Sequence, residues 1–380
     1  MKRHLTFLGA ILIMAGSTVW AQEVNSSASA YGSSSGEDVN VVEEDNDFIP
    51  AISLDSRFSY NRVSGGSAGF GGDGFYLNID GKISKHFSYS LSQRLFSAHG
   101  EDDSVFDNTD WLTLTYDIGG FSFTGGKDIL MVGSYEYDAY DIDSYFDMNS
   151  MFYNSFSSYQ WGVKVAWMPS ENSSLAFQVT NSPFSFYPKE DNLYAYNLAW
   201  SDDYDFYTSI WSVNMFEYLP GKFVKCLALG NMFYIGNLAL GLDCITLDTN
   251  LKDRKDDQFT INFMPSYEFG NRFRLFGKLG WERVGENVPY DFWGEYLSTE
   301  DMVLANDENI YTLPAFHVAG QDYWFYGAGL EYFPLKDNDS VRLHAVWASN
   351  NYTNRHSINI GLTWKFDVVG AIKHIAGRHK

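Results

Sequence analysis

From Ile358 to Phe366, apolar side chains stand at every second position: Ile358, Ile360, Leu362, Trp364 and Phe366. Asn359, Gly361, Thr363 and Lys365 lie between them. A period of two sends the two sets to opposite faces of a β-strand. Roughly sixteen short segments of the chain alternate in this way, and the links between them are by turns short and long. Strands with one apolar and one polar face, joined up and down, close naturally into a barrel in a membrane. The expected fold is all-β: a transmembrane antiparallel β-barrel of about 16 strands, with the long third loop folded into the lumen.

The first 21 residues have the form of a secretory signal. Lys2 and Arg3 give the basic start, Leu5 to Met14 the apolar stretch, and Val19-Trp20-Ala21 the small-residue cleavage site. The apolar stretch is shorter than the roughly 20 residues a helix needs to span a bilayer. Residues 22–50 are rich in Ser, Asn, Glu and Asp and cannot bury a core, so a disordered periplasmic tail is expected there. Residues 51–366 form the expected barrel, and 367–380 a C-terminal periplasmic extension beyond the terminal aromatic strand.

No long apolar run follows the signal, and mean hydropathy is −0.25, which excludes a helical membrane protein. A barrel hides its hydrophobicity in alternation, and the 26 Tyr, 30 Phe and 11 Trp suit aromatic girdles at two membrane interfaces. A formal charge of −22 argues against nucleic acid as a partner. Most acids sit between the alternating segments, as in Glu101-Asp102-Asp103 and Asp253 to Asp257, where solvated loops explain them. Cys226 and Cys244 are the only cysteines, on neighbouring strands of one hairpin. An oxidising periplasm leaves a disulfide open. No zinc-type spacing, cofactor motif or other metal motif is present, and no catalytic motif such as G-x-S-x-G or H-E-x-x-H. No enzyme is expected.

The expected strands begin with Ala51–Arg62 and Gly74–Ile83, include Phe206–Val213, and end with Ser357–Phe366. Links after even strands are mostly short and turn-like: Gly119-Gly120, Ile235-Gly236, Gly270-Asn271. Links after odd strands are mostly longer: Ser97–Asn108, Asp128–Ser158, Gly285–Gln321. Short periplasmic turns with long outer loops are the asymmetry of bacterial barrels, and an even strand number puts both termini in the periplasm.

The third loop carries a resemblance. Phe123-Thr124-Gly125-Gly126-Lys127 leads through Tyr135-Glu136-Tyr137-Asp138, Asp143-Ser144-Tyr145 and Met151-Phe152-Tyr153-Asn154 to Tyr159-Gln160-Trp161-Gly162-Val163. Together with the Asp110-Trp111-Leu112 strand and the closing Gly361 to Phe366, this resembles the phosphate-selective porin O and P family in its Bacteroidetes form. The resemblance implies a 16-stranded, homotrimeric outer-membrane porin. It does not carry phosphate selectivity here. The loop holds Glu136, Asp138, Asp141, Asp143 and Asp147, with no Lys or Arg between 128 and 163, and an acidic constriction attracts cations.

Alternation turns Arg57, Arg94, Lys164, Arg274, Lys278, Arg342 and Lys365 inward, because a charge facing lipid at mid-membrane costs about 2–4 kcal/mol. Two readings of these charges stand side by side. Basic wall and acidic loop can set a transverse field across a narrow zone, or they can simply pair and hold the loop to the wall. His344 is the one mature histidine that alternation turns inward. Tyr135, Tyr137, Tyr140 and Tyr145 serve loop packing, with a sugar path as the other option. The seventh outer loop, with Trp293, Tyr296, Asp301, Asp307 and Glu308, is long enough to cap the mouth or meet a partner. The expectation is a porin in the cell outer membrane, surrounded by lipid, for passive diffusion of small hydrophilic solutes or ions. The alternatives are a plugged outer-membrane barrel with a surface binding role and a soluble glycan-binding β-protein.

Overall fold

A computed structural model describes residues 50–66, 68–95, 105–139, 143–146, 149–154, 158–183, 192–248, 258–270, 272–283, 322–335, 338–351 and 355–377. The expected signal peptide, the tail up to residue 49 and the seventh outer loop lie outside them, as do Tyr140, Asp141 and Asp147.

Sixteen antiparallel strands close into a barrel, each bonded to its neighbours in sequence and the last to the first. They are β1 Ala51–Val63, β2 Ala68–Ser84, β3 Phe87–Arg94, β4 Thr109–Ile118, β5 Phe121–Ile129, β6 Tyr159–Ser170, β7 Ser173–Asn181 and β8 Tyr194–Tyr204. The second half holds β9 Tyr207–Leu219, β10 Lys222–Ile235, β11 Leu238–Asp248, β12 Gln258–Phe269, β13 Phe273–Arg283, β14 Asp322–Tyr332, β15 Val341–Asn350 and β16 His356–Asp367. A helix, Val368–Gly377, follows β16. No helix among the described residues is long and apolar enough to cross a membrane.

The alternation places the side chains as expected on most of the wall. On β4, Leu112 and Leu114 are exposed on the outside while Thr113 and Thr115 are buried inside. Large exposed rings gather at both rims of the outer face. Phe87, Phe121, Trp167, Phe206, Phe269 and Phe366 mark the short-turn end, and Phe70, Trp161, Tyr194, Trp324 and Trp347 the other. Apolar flanks bounded by two aromatic belts are what a bilayer selects. At one short turn, Gly119 and Gly120 both take positive φ, at 57° and 82°, which reverses the chain in two residues.

Several strands run longer than the pattern predicts, β2 and β9 the most. β2 starts at Ala68 rather than Gly74, because Gly69, Gly71 and Gly72 pair with β1 without side chains to show alternation. A register shift opposite Arg57 and Phe58 then lets Asp73 bulge inward. β9 continues past Val213 to Leu219. Its Phe216 lies on the inward side, where a polar residue is expected, and is fully buried.

The cysteines cannot bond in this register. Cys226 pairs with Leu247, and Cys244 with Leu229, so the two side chains point to opposite faces of the hairpin. Both thiols are free, Cys226 buried within the barrel.

Candidate functional site

The inner wall is not uniformly polar. On β8 to β11 the inward side chains include Ala195, Phe216, Val224, Cys226, Ala228, Ile245 and Leu247, all buried. Leu130, Val132, Tyr137 and Phe152, from the segment after β5, pack onto this patch. Met131 and Tyr135 pack beside them against Ala199, Ile210 and Met232. The third loop therefore carries an apolar stripe that matches an apolar stripe on the wall, and burial of both stripes drives them together.

Hydrogen bonds fix the register of that contact. The Gln178 side chain on β7 accepts from the Met131 amide at 3.1 Å and donates to the Ile129 carbonyl at 2.9 Å. Asn214 on β9 donates to the Met131 carbonyl at 2.7 Å, and Ser212 accepts from the Gly133 amide at 2.8 Å. Asp243 on β11 is the main anchor. Its carboxylate accepts from Ser134 Oγ at 2.9 Å and from the amides of Tyr135 and Glu136 at 3.0 and 2.9 Å. Three donors converging on one buried carboxylate hold the turn at 134–136 in place. Gly133 is the point of closest approach. A Cβ there would lie 2.6 Å from the carbonyl oxygens of Ala228 and Ile210 and 2.8 Å from the Ser212 nitrogen, all backbone. Only glycine lets the two backbones meet so closely.

A second anchor lies on the next two strands. Glu136 accepts from Lys278 on β13 at 2.7 Å, from Asn262 on β12 at 2.7 Å and from Ser150 Oγ at 2.5 Å. Lys278 also donates to Asn149 at 2.6 Å. The Phe152 amide donates to Glu282 on β13 at 3.3 Å. A third anchor reaches β14, β15 and β1. Asp143 pairs with Arg342, Tyr145 donates to Glu331 at 2.5 Å, and Arg57 donates to the Ser144 carbonyl at 2.8 Å. The Tyr145 ring stacks on His344 at 4.2 Å, and the Arg57 guanidinium lies 5.6 Å from its centre. The partners of this one segment are spread over β7, β9, β11 to β15 and β1.

The candidate charges fall as follows. Six of the seven basic residues that alternation turns inward have a carboxylate partner. Arg57 faces Asp73, Arg94 faces Asp110, Lys164 faces Asp128, and Arg274 faces Glu331. Among the described residues, Lys278 and Arg342 pair with loop acids, through Glu136 and Asp143. Four of the six pairs are therefore made without the loop acids Glu136 to Asp147. Burial alone would raise the Asp143 carboxyl, but Arg342 and Lys365 outweigh it and hold it below the usual carboxylate range. Asp138 is buried with Asp128 and Asp243 nearby, and burial first, then those two charges, push its carboxyl well above that range.

Gln178, Ser212, Asn214, Asp243, Glu282 and Glu331 are anchoring residues outside the sequence-based candidates. Asp243 had a signal: it is a lone acid between Leu242 and Cys244 in an apolar strand, at a position that alternation turns inward. Among the described residues, no group of His, Cys, Asp or Glu is arranged to hold a metal ion.

No family model and no curated protein matches the sequence. Solved structures do match. A loop-deleted form of OmpT, an outer membrane protein of Vibrio cholerae, superposes with a TM-score of 0.55 at 10% identity, over 84% of this chain and 100% of that one. A mutant of Rh. blastica porin gives 0.52 at 13% identity over the same shares. A porin refined at 1.8 Å gives 0.52 at 12%, again over 84% and 100%. Identities this low establish a shared fold, the porin barrel.

Proposed function

We propose that the chain is an outer-membrane porin, a passive channel for small hydrophilic solutes or ions whose cross-section is narrowed by the loop between β5 and β6. The observation that carries this reading is the loop itself, tied by its backbone to the inner wall of a closed barrel whose outer face is apolar. A loop used only for surface contacts needs no such anchors. Porin-fold neighbours across the whole barrel support the same reading. Trimeric assembly and cleavage of the first 21 residues belong to the proposal too.

The charges support weak ion selectivity. Six of the seven inward basic residues face an acid, and the loop acids Glu136 and Asp143 are spent on pairing. Asp138 remains in the loop, Asp141 and Asp147 lie outside the described residues, and the proposed preference is modest and toward cations. Phosphate selectivity forms no part of the proposal, because a paired guanidinium or ammonium presents little field to a passing anion.

Proteoliposomes test this. Iso-osmotic exchange into a sugar should swell them, with rates falling from monosaccharide to trisaccharide. Swelling no faster than in empty vesicles would contradict the proposal. A second reading has a specific observation behind it. Inward Ser92, Thr113, Thr115 and Ser122 on β3 to β5 are also buried, although none of the loop hydrogen bonds described above ends on them. A barrel filled across its whole section would show this, and it would give no swelling while remaining folded.

A further inference from the structure

We infer that the helix Val368–Gly377 lies in the headgroup layer of the membrane at the short-turn end of the barrel, with its apolar face in the lipid. This rests on the outer-membrane reading above and adds a contact that a barrel alone does not need. Val368, Ala371, Ile372 and Ile375 fall at i, i+3, i+4 and i+7 and form one face. Lys373 and His374 flank it on the polar side, and Arg378, His379 and Lys380 follow in sequence. The apolar face does not turn into the protein. Ile372 and Ile375 are each 61% exposed, while Lys373 and His374 are exposed as well.

The start of the helix fixes its depth. Trp364 and Phe366 are exposed on the outer face of β16, in the aromatic belt at this end. Asp367 ends the strand, pairing with Ser53, and its carboxylate caps the helix by accepting from the Gly370 amide at 2.9 Å. No linker separates belt from helix, and the helix runs against β1. At a rise of about 1.5 Å per residue, Ile372 stays within roughly 8 Å of the strand end. That is the depth range of interfacial helices, whose apolar face sinks about 5–10 Å into the headgroup boundary.

The occupant is a phospholipid leaflet. The exposed isoleucines follow the belt residues Trp364 and Phe366 in the chain with only the helix start between, and the basic flank suits phosphate headgroups. A second copy of the chain is a poorer fit, because four small and medium side chains fall far below the roughly 800 Å² per partner of a stable protein contact.

Depth-dependent quenching tests the inference on the full chain. With Cys226→Ala and Cys244→Ala as background, single cysteines replace Ile372, Ile375, Lys373 or Ile360, each carrying a bimane. The barrels are reconstituted in phosphatidylcholine–phosphatidylglycerol vesicles with a nitroxide near the headgroups. Ile360 faces outward on β16 and reports insertion of the barrel. Probes at 372 and 375 should be quenched at least about twofold more than the probe at 373, as an interfacial orientation requires. Quenching at 360 with none at 372 or 375 would overturn the inference and leave the barrel reading intact. So would quenching at 372 only by a nitroxide on a second copy. No quenching at 360 would overturn the outer-membrane reading, and this inference with it.

Discussion

Lys278→Ala should lower the stability of the barrel by about 3–5 kcal/mol, the usual cost of stripping one partner from a buried ion pair. The Lys278 and Glu136 side chains are only 6% and 2% exposed. Without the ammonium, Glu136 keeps its bonds from Asn262 and Ser150 but loses its countercharge. Asn149 loses its partner in the same step, so the stretch around 149–152 loosens together. Urea titration of the lipid-embedded barrel, followed by the gel shift between folded and unfolded forms, measures the loss. The double variant Glu136→Gln, Lys278→Met should recover much of it, because a neutral, well-packed replacement of a buried pair is often near neutral. A full-sized loss in the double variant would mean that the site depends on something other than the pair.

Gly133→Val should unseat the loop from the wall. The atoms its Cβ would meet are backbone of β9 and β10, held by sheet hydrogen bonds on both sides, so the loop must give way. The wall offers a glycine at the same crossing: a Cβ on Gly230 would lie 3.0 Å from the Gly133 carbonyl oxygen. Overpacking of this kind costs about 1–3 kcal/mol. The displaced loop also forfeits the Ser212 bond and strains the three donors on Asp243. Amide hydrogen exchange at Tyr135 and Glu136 should rise by at least about tenfold, the equivalent of 1.4 kcal/mol of lost protection. Gly72→Ala is the control, since nothing lies within 4 Å of a Cβ there. Unchanged exchange in Gly133→Val would show that the loop is held elsewhere.

The barrel was legible because lipid on one side and polar groups on the other impose a strict period of two. Ile358 to Phe366 shows it without exception, and the strand count, the antiparallel order and the short turns follow from repeats of that pattern. The pattern fades where the interior is not water-like. Phe216 ends the visible alternation of β9 because it points inward under Tyr137 and Phe152 rather than into solvent. The run from Phe223 to Leu229 and from Leu238 to Leu242 reads as nearly continuous apolar sequence for the same reason: these strands are covered on both faces.

The loop was read through its acids, and its folding into the lumen was expected from them. Its seat on β8 to β11 was hidden, because Leu130, Met131 and Val132 look like the end of β5. Alternation turns Arg57, Arg94, Lys164, Arg274, Lys278 and Arg342 inward, and each has a carboxylate partner. Which acid each would meet was not legible, since a pair across strands depends on register and on bulges such as Asp73.

The most direct measurement is single-channel conductance of the purified wild-type barrel in a planar bilayer, with a reversal potential under a salt gradient. A narrowed, charge-balanced channel predicts discrete, ohmic steps and a small reversal potential of the sign that marks cation preference. An intact, heat-modifiable barrel that inserts and passes no current would contradict the account.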